Sequence, residues 1–460
     1  MRNIISADEL GVDHRFDRLH SLRAFFFSGW RGGFSFFVLA LTTHCTSADA
    51  QVLNAVFPQT GTGAGGVPAD NSRAVAAADY VALGIQAGSF DLFPTLTESA
   101  GYDSDVHLLG VGSSPVIDSS GQVVARSDWT RNSLEAELSV DDRRYTSQPG
   151  QDATTWTASF GGVLDLGRDH LGVSYEHLNL VETPNEIGSV ATLPVPFRVD
   201  AASLSYDIMT KTAFSFLPEL DVRHFTFDAV PIAGTNVTQS YRDRTSAEES
   251  LTSRYAFATG ENGLLVLRGT EIRYDQAVGT LPRLNSNGGS VLIGFDYTAT
   301  GLFRYRALVG YQVRDYTGAR YGHLNAPIFE ASVIWTVTQL TTATLTLRRD
   351  IEDSASEGVT GFTYTAGRLD LQHELRRNVI IGADLDVQNA QSRGSPYFGA
   401  NVPFDASATN ETIYSAGVTA SYLLNRDWAV TATATFSDRH EQSTRSYTEG
   451  TGLISLRYTR

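Results

Sequence analysis

The sequence predicts an all-β chain: a transmembrane, antiparallel, up-and-down β-barrel of about 18 strands, with short periplasmic turns and longer extracellular loops. Three observations carry that prediction. From Phe90 to the C-terminus, apolar and polar residues alternate with period two; the connections between these runs are short and long in turn; and aromatic residues gather beside the short ones. Successive side chains on a strand point to opposite faces, so each run has one apolar and one polar face. Phe303, Tyr305, Ala307, Val309, Tyr311 and Val313 alternate with Arg304, Arg306, Gly310 and Gln312. Phe329/Ala331/Val333/Trp335/Val337 and Tyr414/Ala416/Val418/Ala420/Tyr422 repeat the pattern, and Trp428/Val430/Ala432/Ala434/Phe436 alternates with Ala429/Thr431/Thr433/Thr435/Ser437.

Composition narrows the class. Of 460 residues, 42% are hydrophobic and only 19% charged, against roughly 25% charged in a soluble globular domain. No stretch reaches about 18 consecutive apolar residues, which excludes helical membrane spans. The net charge is −16 and Lys211 is the sole lysine; without a basic cluster, nucleic acid is excluded as a partner.

The chain divides in order. Residues 34–41 (FSFFVLAL) form a short apolar core, preceded by Arg15, Arg18, Arg23 and Arg31 and followed by Ala48-Asp49-Ala50. Those are the parts of a secretory signal peptide over residues 1–50. Cleavage after Ala50 removes Cys45, the only cysteine, and with it disulfides, thiolate chemistry and c-type haem. Residues 51–88, rich in Ala and Gly and containing Pro58 and Pro68, read as a flexible periplasmic lead-in, and residues 89–460 as the barrel.

Short connections fall near 130–133, 167–170, 209–213, 259–263, 298–301, 338–341, 374–378 and 424–427, and longer ones occupy 103–121, 181–196, 228–240, 275–289 and 390–409. Tight turns at one rim and long loops at the other mark a bacterial outer-membrane barrel, with both termini on the periplasmic side. Trp129, Tyr206, Phe214, Phe216, Tyr255, Phe257, Tyr297, Phe303, Trp335, Tyr422 and Trp428 sit beside the short turns, where amphipathic rings favour the bilayer interface. A soluble sandwich would place its aromatics mid-strand, facing a core. In hydrocarbon every backbone group must be paired within the protein, and a closed sheet achieves this without edges. At this strand number the interior is an aqueous lumen rather than a packed core.

Residues 82–106 read ALGIQAGSFDLFPTLTESAGYDSDV. Gly84, Gly88, Ser89 and Phe90, then Phe93-Pro94 and Tyr102-Asp103-Ser104-Asp105, resemble the opening of the putative β-barrel porin 2 family; Ser127-Asp128-Trp129 before Asn132 is similar to that family's first hairpin. The resemblance extends along nearly the whole mature chain. It implies an outer-membrane barrel, often associated with exopolysaccharide production, and brings no catalytic residues with it. The chain ends Ile454, Leu456, Tyr458, Arg460; the alternation suits a barrel-insertion signal, but Arg460 stands where the terminal residue is usually aromatic, with Tyr458 as the aromatic to serve in its place.

Other motifs lack their context. Gly61-Thr62-Gly63-Ala64-Gly65-Gly66 spells a dinucleotide fingerprint, but Pro68 follows and no helix begins. His373-Glu374 and His440-Glu441 open a zinc motif that Arg377 and Thr444 break. Asp103/Asp105 and Asp384/Asp386 are oxygen pairs without a calcium loop. Asn236-Val237-Thr238 is a glycosylation sequon by spelling alone. No cofactor, metal or catalytic residue is expected.

With apolar positions facing lipid, the lumen receives Glu135, Glu137 and Asp141 from the third strand, Asp165 from the fourth and Asp296 from the tenth. Arg304, Arg306 and Arg314 follow from the eleventh, Glu330 from the twelfth, Arg348 from the thirteenth, and Asp384 and Asp386 from the fifteenth. Arginine on the lipid face costs roughly 2–4 kcal/mol near the midplane, which favours this inward, pore-lining placement. Two arrangements are open. An acidic wall on strand three could face an arginine wall on strand eleven and set a transverse field across the lumen. Alternatively, neighbours pair locally, Arg306 with Asp296 or Glu330.

The expected function is an outer-membrane channel passing solute through a water-filled lumen. The resemblance implies export of a surface or exo-polysaccharide. The alternatives are a general diffusion porin for small hydrophilic solutes, with 390–409 as the loop folded into its pore, and a structural or adhesive barrel. An enzyme would need a clustered Ser/His/acid set, whereas the histidines are scattered. Expected partners are outer-membrane lipid, the barrel-insertion machinery and, for a polymer, a periplasmic polysaccharide export component.

Overall fold

The computed structural model describes residues 80–460 apart from 188, 190–191, 233–234, 278–281, 299, 319–320, 354–358, 395–409 and 442–445. The expected signal peptide (1–50), residues 51–79 of the expected lead-in with their Gly-rich motif, and residues 395–409 of the candidate pore loop lie outside the described residues.

The wall begins with β1 (Phe90–Asp103), β2 (Ser114–Ser127), β3 (Ser133–Tyr145), β4 (Ala153–Asp165), β5 (His170–Glu182) and β6 (Val195–Met209). It continues through β7 (Phe214–Phe227), β8 (Arg244–Ala258), β9 (Glu261–Tyr274), β10 (Ser286–Tyr297), β11 (Phe303–Tyr316) and β12 (His323–Thr338). It ends with β13 (Thr341–Glu352), β14 (Val359–Arg376), β15 (Val379–Gly394), β16 (Asn410–Leu423), β17 (Trp428–Glu441) and β18 (Ser446–Thr459). Each strand pairs antiparallel with its chain neighbours, and β18 returns to β1 with Thr459 opposite Thr95 and Thr451 opposite Asp103. The sheet therefore closes, and no strand edge is left to satisfy in lipid. No helix among the described residues is long and apolar enough to cross a membrane.

The short connections fall where the alternation breaks: 128–132, 166–169, 210–213, 259–260, 298–302, 339–340, 377–378 and 424–427. One long connection is shorter than the sequence suggests. Residues 103–121 read as a loop because Asp118-Ser119-Ser120-Gly121 interrupts the apolar pattern, yet β2 begins at Ser114, opposite Asp103. Polar residues there meet polar partners: Arg143 binds Asp118 at 2.6 Å on the inner face, and Ser119 Oγ donates to Glu98 at 2.7 Å on the outer one. Likewise β10 starts at Ser286, inside the span expected to be loop.

The outside of the wall is greasy. Leu138, Ile293, Val309 and Ile454 are 57–65% exposed, while Glu137, Leu292, Leu308 and Ser455 beside them are buried. Water would not tolerate such a surface around the whole wall, whereas acyl chains cover it. Ile293→Arg is expected to cost roughly 2–4 kcal/mol in unfolding from lipid vesicles; Ile293→Val should change little, and an equally mild effect of arginine would place this surface in water.

Aromatic rings circle the short-turn rim. Phe214 lies 4.8 Å from Tyr255, Tyr255 lies 5.0 Å from Phe257, and Tyr297 stacks on Tyr305 at 5.3 Å. Tyr458 meets Trp428 at 4.9 Å, which brings the last strand's aromatic into the same belt. Before β1, Ile85–Ala87 pairs back onto Phe90–Leu92. That hairpin explains both glycines of the opening motif: Gly84 (φ +76°) and Gly88 (φ +67°) are left-handed, and a Cβ on Gly84 would lie 2.8 Å from the Phe93 ring.

Candidate functional site

Inside the closed wall, every charged residue singled out in the sequence sits on the face opposite the exposed apolar side chains. Most are held by a near neighbour. Arg126 binds Glu135 at 2.9 Å, and Gln122 donates to Glu137 at 2.7 Å. Asp165 pairs with Arg131 at 3.4 Å at the short-turn rim. Arg314 binds Asp353 at 2.6 Å, and Arg348 binds Asp350 at 2.6 Å and Glu352 at 2.9 Å. Arg368 approaches Asp384 at 3.9 Å, and Gln388 donates to Asp386 at 2.8 Å. Arg306 is buried directly opposite Asp296 in the β10–β11 register, but Glu330 is taken by Arg268, through bonds of 2.5 and 3.0 Å. Charges paired this way largely cancel at a distance, so local bracing describes the wall better than a field between β3 and β11. Asp103 and Asp105 shape their own turn: Asp105 N–H donates to Asp103 Oδ1, and Gly110 N–H donates to Asp105 Oδ2, each at 3.0 Å.

The inner face also carries apolar clusters that alternation alone did not reveal. Leu264, Val266, Leu292, Leu308 and Ile328 pack together on β9–β12. Arg268 and Glu330 join across this patch, from β9 to β12. Near the long-loop rim, Leu178, Leu180, Val195, Phe197, Val199, Phe225 and Phe227 form a second cluster. Arg242 lies over the Phe227 ring at 4.1 Å and Arg244 over Phe225 at 4.4 Å, so guanidiniums cover two of its rings.

The decisive element is the connection between β5 and β6, residues 183–194. Thr183, Pro184, Asn185, Glu186 and Ile187 are all buried. A loop lying on the rim would be wet; this one enters the mouth of the lumen. Arg439 Nη1 on β17 donates to the Pro184 carbonyl at 2.8 Å. Ile187 packs with Phe362 and Tyr364 of β14, Ala390 of β15 and Ile413 of β16, on the far side of the ring from β5. The near end is tied down as well: Glu182 pairs with Arg242, Ser189 Oγ donates to Glu182 at 2.9 Å, and Gln151 donates to the Thr192 carbonyl at 3.1 Å. The sequence marked this stretch as a long loop and named 390–409 as a candidate pore loop; residues 395–409 lie outside the described residues, and among the described ones the segment 183–187 folds inward.

A second loop braces the first. His107, between β1 and β2, is buried, has left-handed backbone (φ 59°), and sets its ring edge-on to Tyr145 at 5.2 Å. It also hydrogen-bonds Asn185 of the crossing loop. Burial, with Arg143 nearby, lowers its pKa from 6.5 to about 4. A histidine kept neutral by the fold contributes its full stability above the ordinary pKa and loses it as the pH falls from 6.5 towards 4, because the open loop takes the proton first. Amide protection of residues 104–113, corrected for intrinsic exchange, should fall across that window, and His107→Gln should flatten the dependence. A flat profile in the unaltered protein would refute the linkage.

A model of the family described as putative beta-barrel porin 2 matches residues 77–460. The chain belongs to that family. Among solved structures, this porin is similar to OpdK of Pseudomonas aeruginosa (12% identity, TM-score 0.42, 80% of this chain and 99% of that chain). Pseudomonas aeruginosa OccK2 (OpdF) in complex with glucuronate matches at 12% identity and TM-score 0.44, over 80% and 98% of the two chains. Acinetobacter baumannii OccAB3 matches at 8% identity and TM-score 0.43, over 81% and 100%. None of the curated proteins matches. Among the described residues of this porin, no group of three or more His, Cys, Asp or Glu is arranged to hold a metal ion.

Proposed function

We propose that this porin is a diffusion channel for small hydrophilic solutes in the outer membrane of a bacterial cell, with the predicted inward charges among its pore-lining residues. The closed wall, apolar outside and polar inside, supports a transmembrane water path. The observation that carries the choice of solute size is the segment 183–187, buried in the mouth and fastened to β17 and to the β14–β16 side. Export of a surface polysaccharide, which the family resemblance implies, would require those contacts and the Glu182–Arg242 pair to break for each chain that passes.

Purified protein in liposomes tests the reading. Swelling should be fast with small sugars and slow with oligosaccharides, and membrane fractionation should recover the protein with the outer membrane. Deleting the gene should slow uptake of small solutes and leave polymer release intact. Lost polymer release with normal uptake would overturn the choice in favour of export.

A further inference from the structure

The lumen is not lined evenly. On β16, β17, β18 and β1, charged inward residues stand towards the strand ends, at Asp91, Asp103, Glu411, Arg439, Glu441, Glu449 and Arg457. Between them the inner face is mostly hydroxyl. Ser421, Thr431, Ser455 and Ser99 follow one another in register across the four strands, and Thr419 faces Thr433 in the next row. Ser421 and Thr431 hydroxyls lie 3.1 Å apart. Ser99 and Ser455 are only 4% and 7% exposed. Hydroxyls on the inner face of a lumen exchange hydrogen bonds with water or with a ligand hydroxyl.

The opposite side, around β7–β12, is filled. Large side chains occupy it: the Leu264–Ile328 cluster, the Arg268–Glu330 pair and buried Arg306. It also holds carboxylates that form no ion pair among the described residues, with Asp221 directly opposite Glu248 in the register and Glu219 accepting from Ser250 at 3.0 Å. Around a closed wall, small side chains leave room beside them and large ones take it up.

We infer that solute passes along an off-axis lane on the inner face of β16–β1, and that this lane takes neutral polyhydroxylated solutes in preference to carboxylate-bearing ones. Serine and threonine hydroxyls both donate and accept, so a sugar can exchange one contact for the next without leaving a charge unpaired. An anion passing the Ser421–Ser99 and Thr419–Thr433 rows meets hydroxyls and no cation within those rows, so it gives up water without gaining an ion pair. The inference rests on the diffusion reading above and adds the route and the solute class.

The test uses the full-length protein with Cys45→Ser, reconstituted in liposomes and planar bilayers, and folded as judged by heat-modifiable gel mobility. Thr433→Cys probes the lane, Thr419→Cys is a second lane variant should the first not fold, and Ser250→Cys probes the far wall. Each is treated with a bulky neutral thiol reagent, with labelling read by mass. Labelling in the lane should lower both conductance and swelling with a neutral hexose several-fold, treatment of Ser250→Cys should change little, and the untreated protein should pass the hexose several-fold faster than its uronate. Lane variants that resist labelling, or are labelled without loss of flux, overturn the lane; equal flux of hexose and uronate overturns the solute class. In both cases the channel itself survives. Folded protein that neither conducts nor swells overturns the diffusion reading, and the lane with it.

Discussion

Replacing residues 184–192 by a short Gly-Ser link is expected to raise single-barrel conductance several-fold and to let larger sugars swell proteoliposomes. The segment is held by side chains from both sides of the lumen: Arg439 on the Pro184 carbonyl, the Ile187 cluster on β14–β16, and Gln151 on the Thr192 carbonyl. None of these contacts belongs to the strand ladder, so the barrel should still close and keep its heat-modifiable mobility. Excision removes the obstruction rather than the wall. Ile187→Asp probes the same latch more gently, since a carboxylate placed among Phe362, Tyr364, Ala390 and Ile413 has no counter-charge in that cluster. It should give frequent transitions to the larger conductance. If the excised barrel folds and conducts as before, the loop does not govern permeation.

What could be read from the chain was whatever is local. Period-two alternation and turn chemistry act over a few residues, so the strand number and all eight short turns follow from patterns such as Trp428 to Phe436. The crossing loop left no such trace, because the contact that defines it joins Pro184 to Arg439, 255 positions away. Charge pairing failed for a different reason. Arg348 is the register neighbour of Glu330, yet Glu330 is held by Arg268 from β9. Side chains converge on the concave side of a curved wall, so partners come from strands that are not adjacent. Leu308 shows the same limit. It interrupts the polar set Arg304, Arg306, Gly310 and Gln312, and it makes sense only beside Leu292 and Ile328. The glycines of the opening motif lie between these cases: their spacing was visible, but the left-handed turn and the Phe93 contact that require Gly84 were not.

Asp353→Ala is expected to give the largest loss of stability, about 3–5 kcal/mol, the range for a buried ion pair broken on one side. Asp353 follows β13 and its side chain is 7% exposed; its two oxygens bind Arg314 at 2.6 Å and Arg244 at 3.4 Å. Alanine would leave two guanidiniums in the wall near the long-loop rim. Arg314 would keep only neutral acceptors, including the Ile351 carbonyl at 3.1 Å, and Arg244 would keep its stack on Phe225 and the Arg242 carbonyl at 3.1 Å. Asp353→Asn retains the volume and one acceptor oxygen while losing the charge, so it should fall between the original and alanine. The sharper comparison adds Arg244→Leu to Asp353→Ala. If the penalty comes from stranded charge, removing one cation as well should recover part of the loss, and the double variant should unfold at higher urea than the single one. Losses that simply add would mean that Asp353 holds the start of the following loop in place and that the arginines are wet enough to manage alone, in which case the single loss should stay near the ~1 kcal/mol typical of exposed pairs.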